Sequence, residues 1–141
     1  MPTKKADAVW KGDLKSGKGT MNVESGIFKG ASYSFATRFE DKEGTNPEEL
    51  IGAALAGCFS MALSNELDSA GFTPESVSTK AEVTLDGSKG AITTIKLITN
   101  AVVPNIDESK FNEIANGAKK GCPASKALTG VTIELDATLE A

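Results

Sequence analysis

Two cysteines, Cys58 and Cys122, are the residues whose type points most directly to chemistry, and 64 residues separate them. The chain contains no histidine. This absence excludes Ser–His and Cys–His nucleophiles, histidine-based zinc sites and acid–base catalysis by histidine. Two cysteines are also too few for a structural zinc site or for the disulfide scaffold of a small secreted protein. These two observations narrow the chemistry that the chain could perform.

A long helix is predicted over residues 47–70. Asn46 suits the N-cap, Pro47 suits the first helical position, and Glu49 three residues on completes a capping pattern. Gly71 is typical of a C-terminal stop. A helix of this length spans about 36 Å.

The same helix is apolar on most sides between Leu50 and Leu63, which is typical of burial all round. We therefore expect it to be the central helix of the fold. Gly52 and Gly57 each cost roughly 1 kcal/mol relative to alanine in a helix interior. They indicate close backbone packing or room beside the sulfur of Cys58.

Each cysteine also has an ordinary interpretation, because free cysteine is among the most buried residue types. A free thiol with a pKa near 8.5 is only a few per cent thiolate at neutral pH, so a reactive one needs a nearby cation. Cys58 lies in mid-helix and gains little from the helix dipole, so that cation would have to be a side chain. Cys122 precedes Pro123 at the predicted start of a short helix over 123–128, a position that favours thiolate and disulfide chemistry.

Each charged candidate, taken alone, also has an ordinary structural interpretation. Arg38 is the only arginine, against fourteen lysines. Alternation over residues 31–40 predicts a strand in which Arg38 shares a face with small residues, and a strand arginine is usually solvated. Glu48 and Glu49 fall in the first turn of the long helix, where carboxylates commonly complement the dipole and the cap.

The remaining elements follow from hydrophobic periodicity and turn residues. Strands are predicted over 6–12, 18–25 and 31–40, a hairpin over 75–103, helices over 108–120 and 123–128, and a strand over 131–139. The buried stripe of the helix over 108–120 is predicted to consist of Phe111, Ile114, Ala115 and Ala118. This order of elements indicates an α+β fold with a single domain, residues 1–141.

The overall charge limits the partners. A net charge of −4 argues against nucleic acid or an anionic membrane surface as a main partner, since both require a basic surface. No uninterrupted apolar run approaches 18 residues, so we expect no membrane-spanning segment. The start of the chain lacks the apolar stretch of a secretory signal, which makes the cytoplasm the expected compartment.

Taken together, these residues resemble a specific family. The stretch "GTNPEELIGAALAGCFSMALS", followed 64 residues after its cysteine by "GCPAS", is similar to the Ohr/OsmC family of thiol-dependent peroxidases, and to its OsmC branch in particular. The likeness covers nearly the whole chain and includes "WKGDLKSGKGTMNVESGIF", "FATRFE" and "AGFTPESVSTKAEVTLD". It implies an OsmC-like fold of antiparallel sheets around a long central helix in an intertwined homodimer.

The resemblance also implies a role for each candidate residue. Cys58 matches the peroxidatic cysteine, which becomes a sulfenic acid, and Cys122 matches the resolving cysteine, which condenses with it to a disulfide. Arg38 matches the arginine that stabilises the thiolate, and Glu48 matches the active-site glutamate. Glu49 matches no catalytic position. The implied substrates are organic hydroperoxides, with hydrogen peroxide also accepted, the reductant is an external dithiol, and no cofactor or metal is needed.

Helix geometry adds an expectation about assembly. Glu48 and Cys58 lie ten residues apart, about 15 Å of rise along a continuous helix, which a glutamate side chain cannot span. Either the helix breaks between them or Glu48 serves the Cys58 of another subunit. The absence of an internal proline favours an obligate homodimer with shared sites. Two other functions remain open, a non-catalytic redox sensor and a structural or ligand-binding dimer.

Overall fold

The computed structural model describes residues 1–140, which form two compact units, Met1–Leu50 and a second that begins at Ile51. The strands of the described residues are β1 (Ala6–Lys11), β2 (Lys18–Val23), β3 (Ala31–Tyr33), β4 (Ser76–Asp86), β5 (Ala91–Val102) and β6 (Thr132–Glu140). The helices are α1 (Phe35–Phe39), α2 (Pro47–Ser69), α3 (Glu108–Gly121) and α4 (Pro123–Ala127). The predicted α+β class is confirmed.

The first unit contains an antiparallel sheet in the order β1-β2-β3. Gly19 of β2 lies between two aromatic side chains, Trp10 and Tyr33, whose ring centroids are 5.5 Å apart. A Cβ at Gly19 would lie 2.8 Å from the Trp10 ring and would clash with Tyr33 as well. Glycine is therefore required where these rings close over the strand.

The third strand is shorter than predicted, because residues 35–39 form helix α1. Ser34 is extended and its hydroxyl accepts a hydrogen bond from the Thr37 N–H at 3.2 Å. The Thr37 hydroxyl accepts in turn from the Ser34 N–H at 2.8 Å, which completes a capping box. Alternation of aromatic residues predicts a strand here, and that prediction is wrong. Arg38 lies in a helix rather than on a strand face of small residues.

Helix α2 begins as predicted and ends at Ser69, one residue earlier than expected. The Glu49 N–H donates to Asn46 Oδ1 at 2.8 Å, so Asn46 caps the helix through its side chain. At the other end the Phe72 N–H donates to the Leu67 carbonyl at 2.8 Å, across a glycine with φ of +93°. No proline interrupts the helix after its first position.

The second unit contains a sheet in the order β4-β5-β6. Strands β4 and β5 form the predicted antiparallel hairpin, but β6 pairs with β5 in parallel, with Ile133 opposite Ile95. The sheet is therefore mixed, where antiparallel sheets are expected from the sequence. The physical reason is the connection, since α3 and α4 form a crossover that returns the chain to the end of the sheet from which β5 starts.

One face of α2 forms the core of the second unit. The fully buried residues of this face are spaced four apart, namely Leu55, Phe59, Leu63 and Leu67. They pack with β5 and with the buried stripe of α3, which is the stripe predicted from the sequence. Gly52 allows close packing, because a Cβ there would lie 3.0 Å from Val83 of β4.

The opposite face of α2 is exposed in the single chain, so burial on all sides is not observed. Its exposed residues include Ala53, Ala54, Gly57 and Met61, and Met61 is 76% exposed. By length and composition alone, α2 could cross a membrane, although the core helix of a soluble protein passes the same test. Serines interrupt the apolar stretch of α2, so the length of its uninterrupted apolar run does not indicate that the helix could cross a membrane.

Candidate active site

The four predicted site residues form two pairs, and each pair lies within one unit. Cys58 and Cys122 come together in the second unit, and Arg38 and Glu48 come together in the first. The sequence separates the cysteines by 64 positions, so only tertiary structure can join them. The structure therefore shows which of the four residues lie together, which the sequence alone does not.

The two sulfur atoms are 2.9 Å apart, and both cysteines are free thiols. Cys122 is fully buried at the junction of α3 and α4, where it ends one helix and begins the next. Its N–H donates to the Ala118 carbonyl at 3.0 Å, and its carbonyl accepts from the Lys126 N–H at 3.1 Å. The backbone around this thiol is therefore fixed on both sides, while Cys58 is half-buried in mid-helix.

The environment acts differently on the two thiols. Burial raises the pKa of Cys58, and its hydrogen bond with Cys122 raises that pKa further, while the backbone of Ala124 opposes both effects. Burial also disfavours the Cys122 thiolate, but the hydrogen bond with Cys58 and those with the backbone and hydroxyl of Ser125 outweigh it and lower the pKa of Cys122. Because a hydrogen bond joins the two sulfur atoms, the thiols titrate as a pair.

Ser125 was not predicted as a site residue. Its hydroxyl oxygen is buried, and among the described residues no nitrogen or oxygen atom forms a hydrogen bond with it. The neighbouring sulfur of Cys122 is the acceptor available to it. The signal in the sequence is the spacing of three between the cysteine and the serine, which places the serine hydroxyl in the first turn of α4.

Arg38 and Glu48 form a salt bridge that joins α1 to the start of α2. Arg38 donates from Nε at 2.9 Å and from Nη2 at 2.6 Å, both to Oε1 of Glu48. The Glu48 side chain is 11% exposed and the Arg38 side chain 37%. A nearly buried carboxylate thus fixes one edge of the guanidinium, as predicted, and leaves Nη1 for another group.

Arg38 also lines a cavity in the first unit. This cavity has a volume of about 310 Å³, and apart from Ser34 and Arg38 its walls are apolar or aromatic: Trp10, Leu14, Tyr33, Phe35 and Phe39. The Arg38 guanidinium lies over the Phe39 ring, 5.6 Å from the ring centroid. The cavity was not predicted, although the aromatic residues between positions 33 and 39 are the signal for it.

Cys58 opens onto a cavity of about 410 Å³ in the second unit. The wall on α2 follows helical spacing and consists of Cys58, Met61, Ala62, Asn65 and Glu66, and the opposite wall consists of Gly121 and Pro123. A small molecule can therefore reach the sulfur of Cys58, whereas Cys122 is 0% exposed. The small residues of this cavity are Ala62, Gly121 and Pro123, whereas the glycines predicted to make room beside the sulfur, Gly52 and Gly57, are not part of its wall.

Hydrogen bonds between hydroxyl groups fix the helix next to Cys58. Ser60 donates to Thr79 of β4 at 2.7 Å, and the hydroxyl groups of Thr79 and Thr99 of β5 are 2.9 Å apart. Thr99 is fully buried.

Within the described chain, no group of three or more metal-ligating side chains could hold a metal ion.

Comparison with known proteins identifies one family. Residues 40–136 match the family model described as OsmC-like protein. The chain is 55% identical over 127 residues to peroxiredoxin OsmC of Escherichia coli strain K12, and the match covers 89% of each chain. It is 32% identical over 100 residues to organic hydroperoxide resistance protein OhrB of Bacillus subtilis strain 168, covering 69% of this chain and 72% of the relative.

Solved structures share the fold over nearly the full length. An OsmC-like protein from Mycoplasma pneumoniae superimposes with a TM-score of 0.76 at 17% identity, over 99% of both chains. An organic hydroperoxide resistance protein OsmC from Legionella pneumophila superimposes with a TM-score of 0.70 at 21% identity, over 98% of both chains. At these identities the likeness concerns the fold.

Proposed function

This chain belongs to the OsmC-like family, and on that premise we propose that it is a thiol-dependent peroxidase acting through Cys58 and Cys122. The observation that supports this function best is the thiol pair, 2.9 Å apart, with one sulfur open to a cavity and the other buried. A thiol that opens onto a cavity can meet a peroxide, and a buried neighbour can resolve the product.

The reaction proceeds in two steps on the protein. The Cys58 thiolate attacks the terminal oxygen of ROOH, the O–O bond breaks, and the RO⁻ that leaves takes a proton to become ROH. Cys58 is oxidised by two electrons to the sulfenic acid. The Cys122 sulfur then attacks the Cys58 sulfur, the S–O bond breaks, water leaves, and the S–S bond forms. An external dithiol reduces this disulfide by thiol–disulfide exchange and is itself oxidised.

The role of Arg38 follows from the pKa of Cys58. Because burial raises that pKa, the second unit alone does not favour a Cys58 thiolate, and the reaction needs a cation near the sulfur. Arg38 is the only arginine, and Glu48 fixes its guanidinium while leaving Nη1 free to bind a thiolate or a peroxide oxygen. We assign Arg38 and Glu48 to this task.

The aromatic cavity beside Arg38 favours organic hydroperoxides. Its apolar walls match a hydrocarbon group, and its one guanidinium matches the polar end of such a substrate. Hydrogen peroxide is small enough to enter as well, but it gains nothing from the apolar walls. Organic hydroperoxides are accordingly the preferred substrate class.

The assembly proposed for this chemistry is a homodimer. Helix α2 is unbroken from Pro47 to Ser69, so Glu48 and Cys58 are separated by about 15 Å of helical rise. We assign the Arg38–Glu48 pair of one chain to the Cys58 of its partner. Re-reduction by a dithiol fits the reducing cytoplasm. The net charge of −4 supports neither nucleic acid nor an anionic membrane as a partner.

The proposed function is tested by mapping cysteine products after reaction with one equivalent of cumene hydroperoxide. Mass spectrometry should show a Cys58–Cys122 disulfide within one chain. Cys58→Ser should abolish peroxide consumption. Cys122→Ser should form no disulfide and should stop with Cys58 as the sulfenic acid, which a second equivalent of peroxide oxidises to the sulfinic acid. A Cys58→Ser variant that still turns over would reverse the two roles.

Turnover separates this enzyme from the redox sensor that the sequence also allows. With excess peroxide and dithiothreitol, an enzyme continues to consume peroxide, whereas a sensor oxidises once and stops. A structural or ligand-binding dimer would consume none, and alkylation of both thiols would leave its behaviour unchanged.

A further inference from the structure

Ser125 carries a buried hydroxyl group that the dithiol state of the protein does not use. It lies in the first turn of α4, and among the described residues no nitrogen or oxygen atom forms a hydrogen bond with its oxygen. A buried hydroxyl group without a partner costs free energy, because it has lost the hydrogen bonds that water provides. We therefore expect this hydroxyl group to gain a partner in another state of the reaction cycle.

The sulfur of Cys122 is the reacting atom beside this hydroxyl group. In the dithiol state the Cys122 thiol donates to the Cys58 sulfur at 2.9 Å, and the Cys122 side chain forms no capping bond with α4. Burial disfavours the Cys122 thiolate, but the hydrogen bond with Cys58 lowers the pKa of Cys122, and the backbone and hydroxyl of Ser125 lower it further. A thiolate at this position is thus the charged acceptor that the Ser125 hydroxyl lacks in the dithiol state.

Cys122 depends on its own chain for hydrogen bonds to its sulfur. The residue is 0% exposed in the single chain, so neither solvent nor the Arg38 of a second chain can touch it. The charged side chains that line the cavity at Cys58 or lie on the turns of α3 and α4 beside Cys122 are partly or fully exposed: Glu66, Lys119, Lys120 and Lys126. The described residues lower the pKa of Cys122 through hydrogen bonds rather than through a nearby charge.

We propose that Ser125 is a catalytic residue that donates a hydrogen bond to the Cys122 sulfur whenever this sulfur is a thiolate. The inference rests on the proposed function, in which Cys122 resolves the sulfenic acid of Cys58. During resolution the Cys122 thiolate attacks the Cys58 sulfur, the S–O bond breaks, and the S–S bond forms. The hydroxide that leaves becomes water with the proton that Cys122 released, while Ser125 keeps its own proton.

The same hydrogen bond assists reduction of the disulfide. Cys58 is the sulfur that opens onto a cavity, so a thiolate of the external dithiol attacks there and forms a mixed disulfide. The S–S bond of the protein breaks, and its electron pair goes to Cys122, which leaves as a thiolate. Stabilisation of this thiolate makes it a faster leaving group. The second thiol of the dithiol then displaces Cys58, and the dithiol is oxidised by two electrons.

The pH profile of disulfide formation tests the role in resolution. Rapid-quench mass spectrometry follows the sulfenic acid to the disulfide after one equivalent of cumene hydroperoxide, while Cys122 is the one thiol left to titrate. In Ser125→Ala the profile should shift to higher pH. Below the midpoint the rate should fall about threefold, because a roughly tenfold loss of thiolate is partly offset by higher nucleophilicity. Above the midpoint the variant should equal or exceed the wild type.

This crossing of the two profiles separates catalysis from a structural defect, which would slow the reaction at every pH alike. Ser125→Thr keeps the hydroxyl group and should restore the wild-type profile. Ser78→Ala removes an exposed hydroxyl group from β4 and should leave the profile unchanged. If the midpoint for Ser125→Ala is that of the wild type, the inference is wrong.

A second measurement tests the role in reduction without any peroxide. Diamide oxidises the two thiols to the disulfide, and dithiothreitol should reduce this disulfide more slowly in Ser125→Ala than in the wild type. Equal rates would contradict the role of Ser125 in reduction. If the wild-type protein consumes no peroxide but its reduction rate still depends on the Ser125 hydroxyl, the proposed function falls while the stabilisation of Cys122 by Ser125 stands.

Discussion

At the scale of single residues, the guanidinium of Arg38 is the group that we propose stabilises the Cys58 thiolate. Two of its nitrogens bind the same oxygen of Glu48, which fixes the plane of the group and directs its remaining donors away from the carboxylate. A lysine at this position would keep the charge but would have a single ammonium at the end of a flexible stem. Charge and geometry can therefore be tested separately.

We predict that Arg38→Lys lowers kcat/KM for cumene hydroperoxide by roughly tenfold or more, because a hydrogen bond to a charged group is worth about 1.5 to 3 kcal/mol. Arg38→Ala should lower it further and raise the pKa of Cys58. A raised thiol pKa means a smaller thiolate fraction at neutral pH, so the rate of alkylation by iodoacetamide should reach its midpoint at higher pH.

Lys89→Ala, in the exposed turn between β4 and β5, is the control for loss of one positive charge. It should leave the pH profile of alkylation in place. If Arg38→Ala has the same profile as the wild type, the cation at the site is a lysine and not Arg38.

Some candidate site residues can be predicted from the sequence, and others cannot. Cys58, Cys122, Arg38 and Glu48 are predicted from the resemblance to the family, and the structure brings them together in two pairs. Ser125 carries no such signal, because its position beside Cys122 depends on a buried hydroxyl that exists only after folding. The stabilisation of a Cys122 thiolate by Ser125 likewise depends on contacts that spacing alone does not establish.

At the scale of elements, the short helix α1 determines where Arg38 points. Its five residues are too few to be stable on their own, so the capping box between Ser34 and Thr37 has a large share in keeping it folded. The Thr37 hydroxyl also donates to the Ser34 carbonyl at 3.0 Å. Loss of this cap should therefore affect both stability and the site.

We predict that Ser34→Ala destabilises the chain by about 1 kcal/mol, the usual cost of losing a hydroxyl N-cap. Urea unfolding measures this change, and kcat/KM for cumene hydroperoxide should fall because Arg38 loses its fixed position. Ser34→Asp, which restores an accepting side chain, should recover most of both. Ser32→Ala, at an exposed position of β3, is the matched control. Equal stability of Ser34→Ala and Ser32→Ala would mean that the cap contributes nothing.

The same elements show which parts of the fold can be predicted from sequence patterns. The long helix is predicted because its end signals are clear, and the hairpin and the stripe of α3 are predicted because each has a strong hydrophobic period. Residues 35–39 are mispredicted because aromatic alternation outweighs the capping box, although the Ser-x-x-Thr signal is present. The direction of β6 could not be predicted, since an alternating strand has the same pattern whether its neighbour is parallel or antiparallel.

At the scale of the whole molecule, the exposed face of α2 is the feature that a single chain leaves unexplained. The helix is long and apolar, yet only 28% of its most apolar window is buried within the chain. An apolar helix of this kind is normally covered on most sides. A twofold-related copy of the same helix would cover it, and such an arrangement is also the one that lets two chains share a site.

Shared sites predict complementation between inactive variants. Glu48→Gln and Cys58→Ser chains should each have little activity as homodimers, and the isosteric glutamine keeps the buried Glu48 position filled. In a mixed dimer, the Glu48 of one chain meets the Cys58 of the other, so one of its two sites is intact. Statistical mixing gives about half mixed dimers, and the recovered activity should approach a quarter of the wild-type value.

Native mass spectrometry of the mixture provides the control, because it shows the fraction of mixed dimers directly. Subunits can be exchanged by brief partial unfolding in urea and refolding, with wild-type protein carried through the same steps. Activity should rise in proportion to the mixed fraction, since each mixed dimer contributes one site. If mixed dimers form and no activity returns, Glu48 and Cys58 act within the same chain. The Arg38–Glu48 pair must then reach the sulfur from its own chain, despite the ten residues of helix between Glu48 and Cys58.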